Sequence, residues 1–353
     1  MAKVLMKGNE VVGAAAIAAG CRYFFGYPIT PQSEVPEYMS RELPKVGGVF
    51  VQAESEVAAI NMVYGASGSG ARVMTSSSSP GIALKQEGIS YCAGAELPCV
   101  IVDMMRGGPG LGDIQAAQGD YFMSTRGGGN GDYRLLVLAP SDVQELADLV
   151  MEGFDLADEY RTPVVILGDG MIGQMMEPVE FTHPMRTDLP VKEWATTGSK
   201  GKRQNNVINS LYLQPEELEE HNVKLQAKFA RMRENEKKVE TYNIEDADLV
   251  ISAYGTTARI VKTAITKLEK EGYKIGLIRP ISLYPFPNEP YEKINPECKG
   301  VLTVEMSAGQ MIDDVKISLN GSLPTYFYGR TGGMVPEPDE IVNKVKEILG
   351  GGK

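Results

Sequence analysis

Short apolar runs alternate with helix-period segments along the first 180 residues. The runs are Tyr23–Gly26, Val49–Val51, Val73–Thr75, Cys99–Val102, Leu135–Leu138 and Val164–Leu167. Each is rich in branched or aromatic residues and predicts a strand. Between 141 and 160, Leu146, Leu149, Val150 and Phe154 recur at helical spacing, with Asp142 and Glu145 near the start. That pattern predicts an amphipathic helix. The alternation implies a parallel sheet covered on both faces, whose ligands gather at the C-terminal ends of its strands. The first helix is expected to be buried and entered through Gly8-Asn9-Glu10.

A polar, irregular stretch from Thr182 to Glu245 interrupts the pattern and ends in a charged helical segment from Pro215 to about Thr241. It holds the single tryptophan, Trp194, and reads as a surface-crossing linker with a solvated helix face. Alternation resumes at Ala247. Strands are expected in DADLVIS and at Lys274–Ile278, Gly300–Val304 and Leu323–Tyr328, with helices at Gly309–Leu319 and Pro338–Leu349. The chain therefore divides into residues 1–181, a linker over 182–245, and a smaller domain over 246–353. The fold class is α/β, with two doubly wound domains.

Composition narrows the functional classes. A net charge of −11 argues against nucleic acid and against an anionic membrane surface as partners. No apolar run reaches the ~18 residues of a membrane span. The N-terminus resembles a signal peptide only weakly, because Asn9 and Glu10 split its apolar run. The cytoplasm is the expected location. The cysteines Cys21, Cys92, Cys99 and Cys298 form no CxxC pair, and the only histidines are His183 and His221. A histidine-rich metal site and a Ser-His-Asp triad are both disfavoured. Any electrons handled by this protein are not carried by its own side chains.

The strand exits hold the candidate chemistry. The first, FFGYPITPQSE, places Ile29 and Thr30 between Pro28 and Pro31. It is either a stiffened loop presenting a hydroxyl, or a helix start with Thr30 as N-cap, or both. The second leads into ESEVAAINMVYGASGSG, where Glu54 and Glu56 open a small-residue helix. Capping explains both acids, as does a buried acid that touches a cofactor. The third, TSSSSPG, fits a cap at Ser79 before Pro80. The fourth, DMMRGGPGLG, presents Arg106 on a glycine-rich loop suited to a carboxylate or phosphate. The fifth runs through Gln115, Gln118 and Asp120 to Gly127–Gly131, a cluster that suggests backbone lying close to a ligand or another chain. In the second block, Gly255-Thr256-Thr257 reads as a tight turn with a threonine cap, or as an anion site.

In this order, YPITPQSE, the Glu56…Ala59…Gly65 helix, TSSSSPG, AGAELPCVIV and MRGGPG resemble the 2-oxoacid:ferredoxin oxidoreductases. The similarity is to the alpha-type subunit, which holds the pyrimidine-binding domain of a thiamine-diphosphate enzyme. SAYGTTARIV and GLIRPISLYPFP resemble that subunit's second domain, similar to the C-terminal domain of transketolase. The resemblance implies that Glu56 lies against N1′ of the aminopyrimidine, that Pro28 and Ile29 wall the coenzyme pocket, and that Thr30 and Arg106 bind the substrate carboxylate. It implies thiamine diphosphate shared with a beta-type subunit that carries the diphosphate and Mg²⁺. It also implies iron–sulfur clusters on partner subunits, ferredoxin as electron acceptor, coenzyme A as co-substrate, and a dimer of heteromers. Gly168-Asp169-Gly170 followed by Asn205-Asn206 imitates the metal motif of thiamine enzymes. The gap is long and crosses Pro178, Pro184 and Pro190, so ordinary turn chemistry is expected and no metal ligand is assigned here. Asn130 stands where the family often has histidine.

The substrate reading leans to 2-ketoisovalerate, with 2-oxoglutarate as the alternative; Arg126 and Arg134 are the candidate second cations. A non-oxidative thiamine-dependent transferase or decarboxylase subunit, and a non-catalytic module of the same fold, remain open at this point.

Overall fold

Apolar runs of four to seven residues, buried on both faces, form the centre of a parallel sheet because neither face can meet water. The computed structural model describes residues 3–350 apart from 185 and 187. In chain order the first half contains β1 (Val4–Lys7), α1 (Gly8–Ala18), β2 (Tyr23–Gly26), α2 (Glu34–Glu42), β3 (Val49–Gln52) and α3 (Glu56–Gly68). Then come β4 (Val73–Ser77), α4 (Ser79–Gly94), β5 (Cys99–Met105), β6 (Leu136–Leu138), α5 (Val143–Tyr160), β7 (Pro163–Asp169), α6 (Gly170–Gln174) and β8 (Met176–Val179). The second half contains α7 (Pro215–Asn235), β9 (Val239–Tyr242), β10 (Leu249–Ser252), α8 (Gly255–Lys270), β11 (Ile275–Pro280) and β12 (Ser282–Tyr284). It ends with β13 (Val301–Glu305), α9 (Met311–Leu319), β14 (Thr325–Gly329) and α10 (Pro338–Leu349).

The first sheet has the order β12-β6-β7-β5-β4-β2-β3 and is parallel except for β12. Its connections run right from β2 to β3 and left from β3 through β4 to β5. Right-handed crossovers therefore put α2 and α5 on one face and α3 and α4 on the other. The packing agrees: α1 lies against both α2 and α5, while α3 lies against α4. The direction reverses between β2 and β4. That reversal leaves a crevice beyond their C-terminal ends, where ligands bind in open α/β sheets.

The second sheet, β14-β13-β10-β11-β9, is parallel except for β9. The halves are interlaced. β12, from the second block, extends the first sheet, and β9, from the 182–245 segment, edges the second. The larger apolar core runs through both, with the buried rings of Tyr121 and Tyr254 5.7 Å apart. The rest of the 182–245 segment is not free of the first sheet. Thr196 donates its amide to Gly68 O at 2.9 Å, and the Arg161 guanidinium lies 4.5 Å from the Trp194 ring centroid. Among the described residues no helix is long and apolar enough to cross a membrane.

Candidate active site

Glu56 is the first residue of α3, one position after the N-cap. Ser55 takes the capping role, accepting Ala58 N at 3.2 Å. The cap is thus filled, and the Glu56 side chain is 7% exposed while Glu54 stays exposed. The Glu56 carboxylate accepts no hydrogen bond from any described residue. It faces the first turn of α4: a Cβ added to Gly81 would lie 2.7 Å from Glu56 Oε1 and 2.1 Å from Ser77 Oγ. Glycine at 81 is what lets that turn approach the acid. The hydroxyls of Ser77 and Ser78 beside it are buried and have no partner. A buried acid at the positive end of a helix, with orphaned hydroxyls at the switch crevice, fits a polar heteroaromatic ring that hydrogen-bonds through a ring nitrogen.

Arg106 leaves the end of β5 and is 8% exposed. Its Nη1 donates to Thr30 O and its Nη2 to Leu111 O, both at 3.0 Å. Those bonds tie the β2 exit to the Arg106 loop. The Nε hydrogen is buried without a partner. An unmet charged donor costs about 1–3 kcal/mol and marks a missing acceptor. Pro28 and Thr30 are exposed and Ile29 is half-buried, so all three are available to a ligand or a neighbouring chain. Asn9 Nδ2 bonds Pro31 O at 2.7 Å and steadies the loop. A cleft of about 680 Å³ opens beside Thr30, lined by Pro31, Ile114, Met171, Met175 and Val335 together with the acids Glu34 and Glu37.

Several sequence readings need correction. Thr30 is not a helix cap: α2 begins at Glu34 with Ser33 in the cap position. Ser79 is not a cap either, because Ser78 holds that place in the backbone. The Ser79 hydroxyl instead accepts Arg106 N at 3.0 Å and donates to Asp120. Gly128 and Gly129 are packing glycines. A Cβ on the first would meet Gln86 Cδ, and one on the second Gln86 O, each at 2.6 Å. Gly255-Thr256-Thr257 opens α8 behind Tyr254, and both threonine hydroxyls reach the first domain, Thr256 at Asp169 and Thr257 at Gln118.

Asp169 in the GDG sequence is likewise occupied. It accepts Met171 N at 2.9 Å, Ile172 N at 3.1 Å and the Thr256 hydroxyl. Asn206 packs on the 193–195 backbone, with Trp194 and Arg161, at the opposite end of the sheet. Arg126 pairs with Asp314 at 3.0 Å, and Arg134 donates to Tyr133 O at 2.7 Å.

Sequence reasoning missed two groups. Lys85 lies on the inner face of α4, 0% exposed, with Nζ 3.4 Å from Glu56 O. It occupies an apolar-period position between Ile82 and Ile89, a signal the sequence does contain. Burial pulls its ammonium down to about 8, with Glu56 opposing part of the shift. Between that value and the ordinary 10.5 the unfolded chain binds more protons, so stability rises with pH through this window and the penalty is full below it. Lys85→Met should therefore raise the thermal midpoint of the assembled protein at pH 7, equivalent to ~1–3 kcal/mol, with the gain shrinking toward pH 10. A variant less stable than its parent at pH 7 would show that the ammonium is favourably paired. The second group is the acid pair Asp103 and Asp120. Burial, then the Asp120 charge, push the fully buried Asp103 carboxyl well above the carboxylate range. Neither Asp103 oxygen has a hydrogen-bond partner among the described residues.

Comparison with known proteins decides the family. Residues 14–241 match the model for the thiamine-diphosphate-binding part of pyruvate flavodoxin/ferredoxin oxidoreductases, and 247–341 match core domain II of pyruvate:ferredoxin oxidoreductase. The chain belongs to the 2-oxoacid:ferredoxin oxidoreductases. Within them it is an alpha-type subunit of a multi-subunit oxidoreductase. It is 49% identical over 350 residues to ketoisovalerate oxidoreductase subunit VorB of Methanothermobacter thermautotrophicus, covering 99% of each chain. It is 36% identical to 2-oxoglutarate synthase subunit KorA of Methanocaldococcus jannaschii, covering 96% of this chain and 98% of that one. A solved 2-oxoglutarate:ferredoxin oxidoreductase from Magnetococcus marinus, with 2-oxoglutarate, coenzyme A and succinyl-CoA bound, superposes with a TM-score of 0.88 at 31% identity. This chain is covered over 98% of its length and spans 65% of that one. A split-gene transketolase shares the fold, with a TM-score of 0.61 at 15% identity.

Proposed function

We propose that this subunit activates thiamine diphosphate for oxidative decarboxylation of a branched 2-oxoacid, 2-ketoisovalerate. In the overall reaction the oxoacid and coenzyme A give the acyl-CoA and carbon dioxide, and the released electron pair passes to ferredoxin. When bound, the coenzyme supplies the nucleophilic carbon and the electron sink. Glu56 holds a proton at N1′ of the aminopyrimidine through a short charge-assisted hydrogen bond. Pro28 and Ile29 wall that ring. The free donors of Arg106 and the Thr30 hydroxyl take the substrate carboxylate. Residues 1–181 form the pyrimidine-binding domain, and 246–353 the transketolase-like domain that braces it.

The observation that carries the reading is the uncapped, unpartnered Glu56 carboxylate buried against Gly81 at the switch crevice. Asp169 is held by protein donors, which supports a beta-type partner as the holder of diphosphate and Mg²⁺. The four cysteines are free, buried and scattered, which supports iron–sulfur clusters on other subunits and fits a reducing, cytoplasmic compartment. The assembly is a dimer of heteromers.

The substrate choice rests on the relatives' names and on the cleft beside Thr30. Its apolar lining suits an isopropyl group, and Glu37 would repel the second carboxylate of 2-oxoglutarate, while the Glu34 charge is partly answered by Lys7. Arg126 and Arg134 do not line it; Arg106 does not line it either but is joined to its rim by the bond to Thr30 O. We expect kcat/KM of the purified complex to favour 2-ketoisovalerate over 2-oxoglutarate by at least ~10-fold, the ratio set by roughly 1.4 kcal/mol. The reverse preference would reassign the subunit to the 2-oxoglutarate enzymes.

A further inference from the structure

The second domain has a switch crevice of its own, between the ends of β10 and β13. Gln118 of the first domain reaches into it and bonds Tyr254, Thr257 and Met306. Gln118 is fully buried and every polar group it has is used. Its amide donates to Met306 O at 2.8 Å, and its Nε2 to Tyr254 O at 3.0 Å. Its Oε1 accepts Thr257 Oγ1 at 2.8 Å and Met306 N at 3.0 Å, and its carbonyl faces the Tyr254 hydroxyl at 3.4 Å. The neighbours are fastened to the same domain. Gln310 Nε2 donates to Gly119 O at 2.7 Å, Phe122 N donates to Gln310 Oε1 at 2.8 Å, and the Tyr121 hydroxyl donates to Asp314. Residues 118, 119, 121 and 122 thus bond to the second domain. Asp120, between them, turns to the first domain and the Ser79 hydroxyl.

Ser79 has one hydroxyl proton and two neighbours to serve. Arg106 N donates to its oxygen at 3.0 Å, while the Arg106 carbonyl lies 3.3 Å away. The carboxylate is the stronger acceptor, so the proton goes to Asp120. Burial raises the Asp120 carboxyl as well as that of Asp103, and the bond from the Ser79 hydroxyl opposes the shift at Asp120. The chain of bonds therefore runs from the Arg106 amide through Ser79 to an acid whose place is set by the second domain.

We propose that Asp120 is a positioning residue for substrate capture, fixing through Ser79 the strand end from which Arg106 reaches the 2-oxoacid carboxylate. The inference rests on the reading of Arg106 given above. It also gives the second domain a role in catalysis: its crevice holds the segment that sets the arginine's height and angle.

The test compares Asp120→Ala, Ser79→Ala, the double variant, Asp120→Asn and Arg106→Ala in the assembled complex. KM for 2-ketoisovalerate should rise ~10-fold in either alanine variant with kcat within ~3-fold, since a misplaced arginine loses binding common to ground and transition states. The double variant should be no worse than either single one, because both cut the same chain. Asp120→Asn keeps an oxygen for the Ser79 proton and should stay within ~3-fold of the parent. Equilibrium binding of the oxoacid by calorimetry should weaken in parallel. A general structural role would instead lower the thermal midpoint and leave KM alone. If Arg106→Ala raises KM while Ser79→Ala and Asp120→Ala do not, this inference falls and the arginine's role stands. If Arg106→Ala itself leaves KM unchanged, the reading beneath it falls. Should Asp120→Ala fail to assemble, Ser79→Ala, which removes one oxygen, decides alone.

Discussion

Glu56→Gln lowers turnover of the assembled enzyme by ~10²–10⁴, the range spanned by positioned acid–base groups. The substitution keeps size and burial and removes the charge and the ability to exchange a proton. The neighbourhood makes it a clean test. Ser55 supplies the helix cap, so the loss of a first-turn charge costs the fold little, on the order of 0.3–1 kcal/mol. No described residue donates to the carboxylate, so no internal hydrogen bond breaks. Gly81 lies so close to the carboxylate that no Cβ fits between them, which holds the amide in the same place. Coenzyme content should therefore fall much less than turnover. Undiminished turnover in a fully loaded variant would remove Glu56 from the mechanism.

Arg106→Ala raises KM for the oxoacid by ~10²-fold, equivalent to about 3 kcal/mol, the upper part of the range for a hydrogen bond to a charged group. Of five guanidinium donors, two are committed to Thr30 O and Leu111 O, and the buried Nε hydrogen has nothing to meet. Arg106→Lys should rescue little, because an ammonium cannot hold both carbonyls and still present a planar fork. The loss should appear in KM and in direct oxoacid binding. An unchanged KM in Arg106→Ala would leave the orphaned donor without a ligand and the carboxylate site elsewhere.

The strands of both sheets other than β9 and β12 were legible because each is a short apolar run whose ends carry turn residues; β9 falls where the sequence predicts a helix running on to about Thr241, but α7 ends at Asn235. Tyr23–Gly26 and Pro338–Leu349 coincide with their elements. Glu56 could not be told from a capping acid by its local sequence; the family resemblance singled it out, and the structure adds that Ser55 takes the cap. What the sequence did not reveal depends on partners distant along the chain. β12 is not among the strands the sequence predicts; three residues long, it pairs with β6, some 145 residues earlier. Nothing local to Gly127–Gly131 says that Gln86 and Ser90 will press on it. The threonines after Gly255 look like a cap until Asp169 and Gln118 arrive from the other domain. Asp120 is one acid in a loop; its meaning comes from Ser79, 41 positions away, and from a buried acid on β5. Lys85 is the exception. A lysine between Ile82 and Ile89 on an inward stripe is an anomaly of the sequence pattern itself.

The central claim is that Glu56 moves the proton that awakens the coenzyme. The most direct measurement is the exchange of the thiazolium C2 proton with deuterium in the fully loaded complex, followed without any oxoacid present. The account predicts rapid exchange in the parent and exchange slower by ~10²–10⁴ in Glu56→Gln at equal coenzyme occupancy. Equal exchange rates in the two proteins would contradict it.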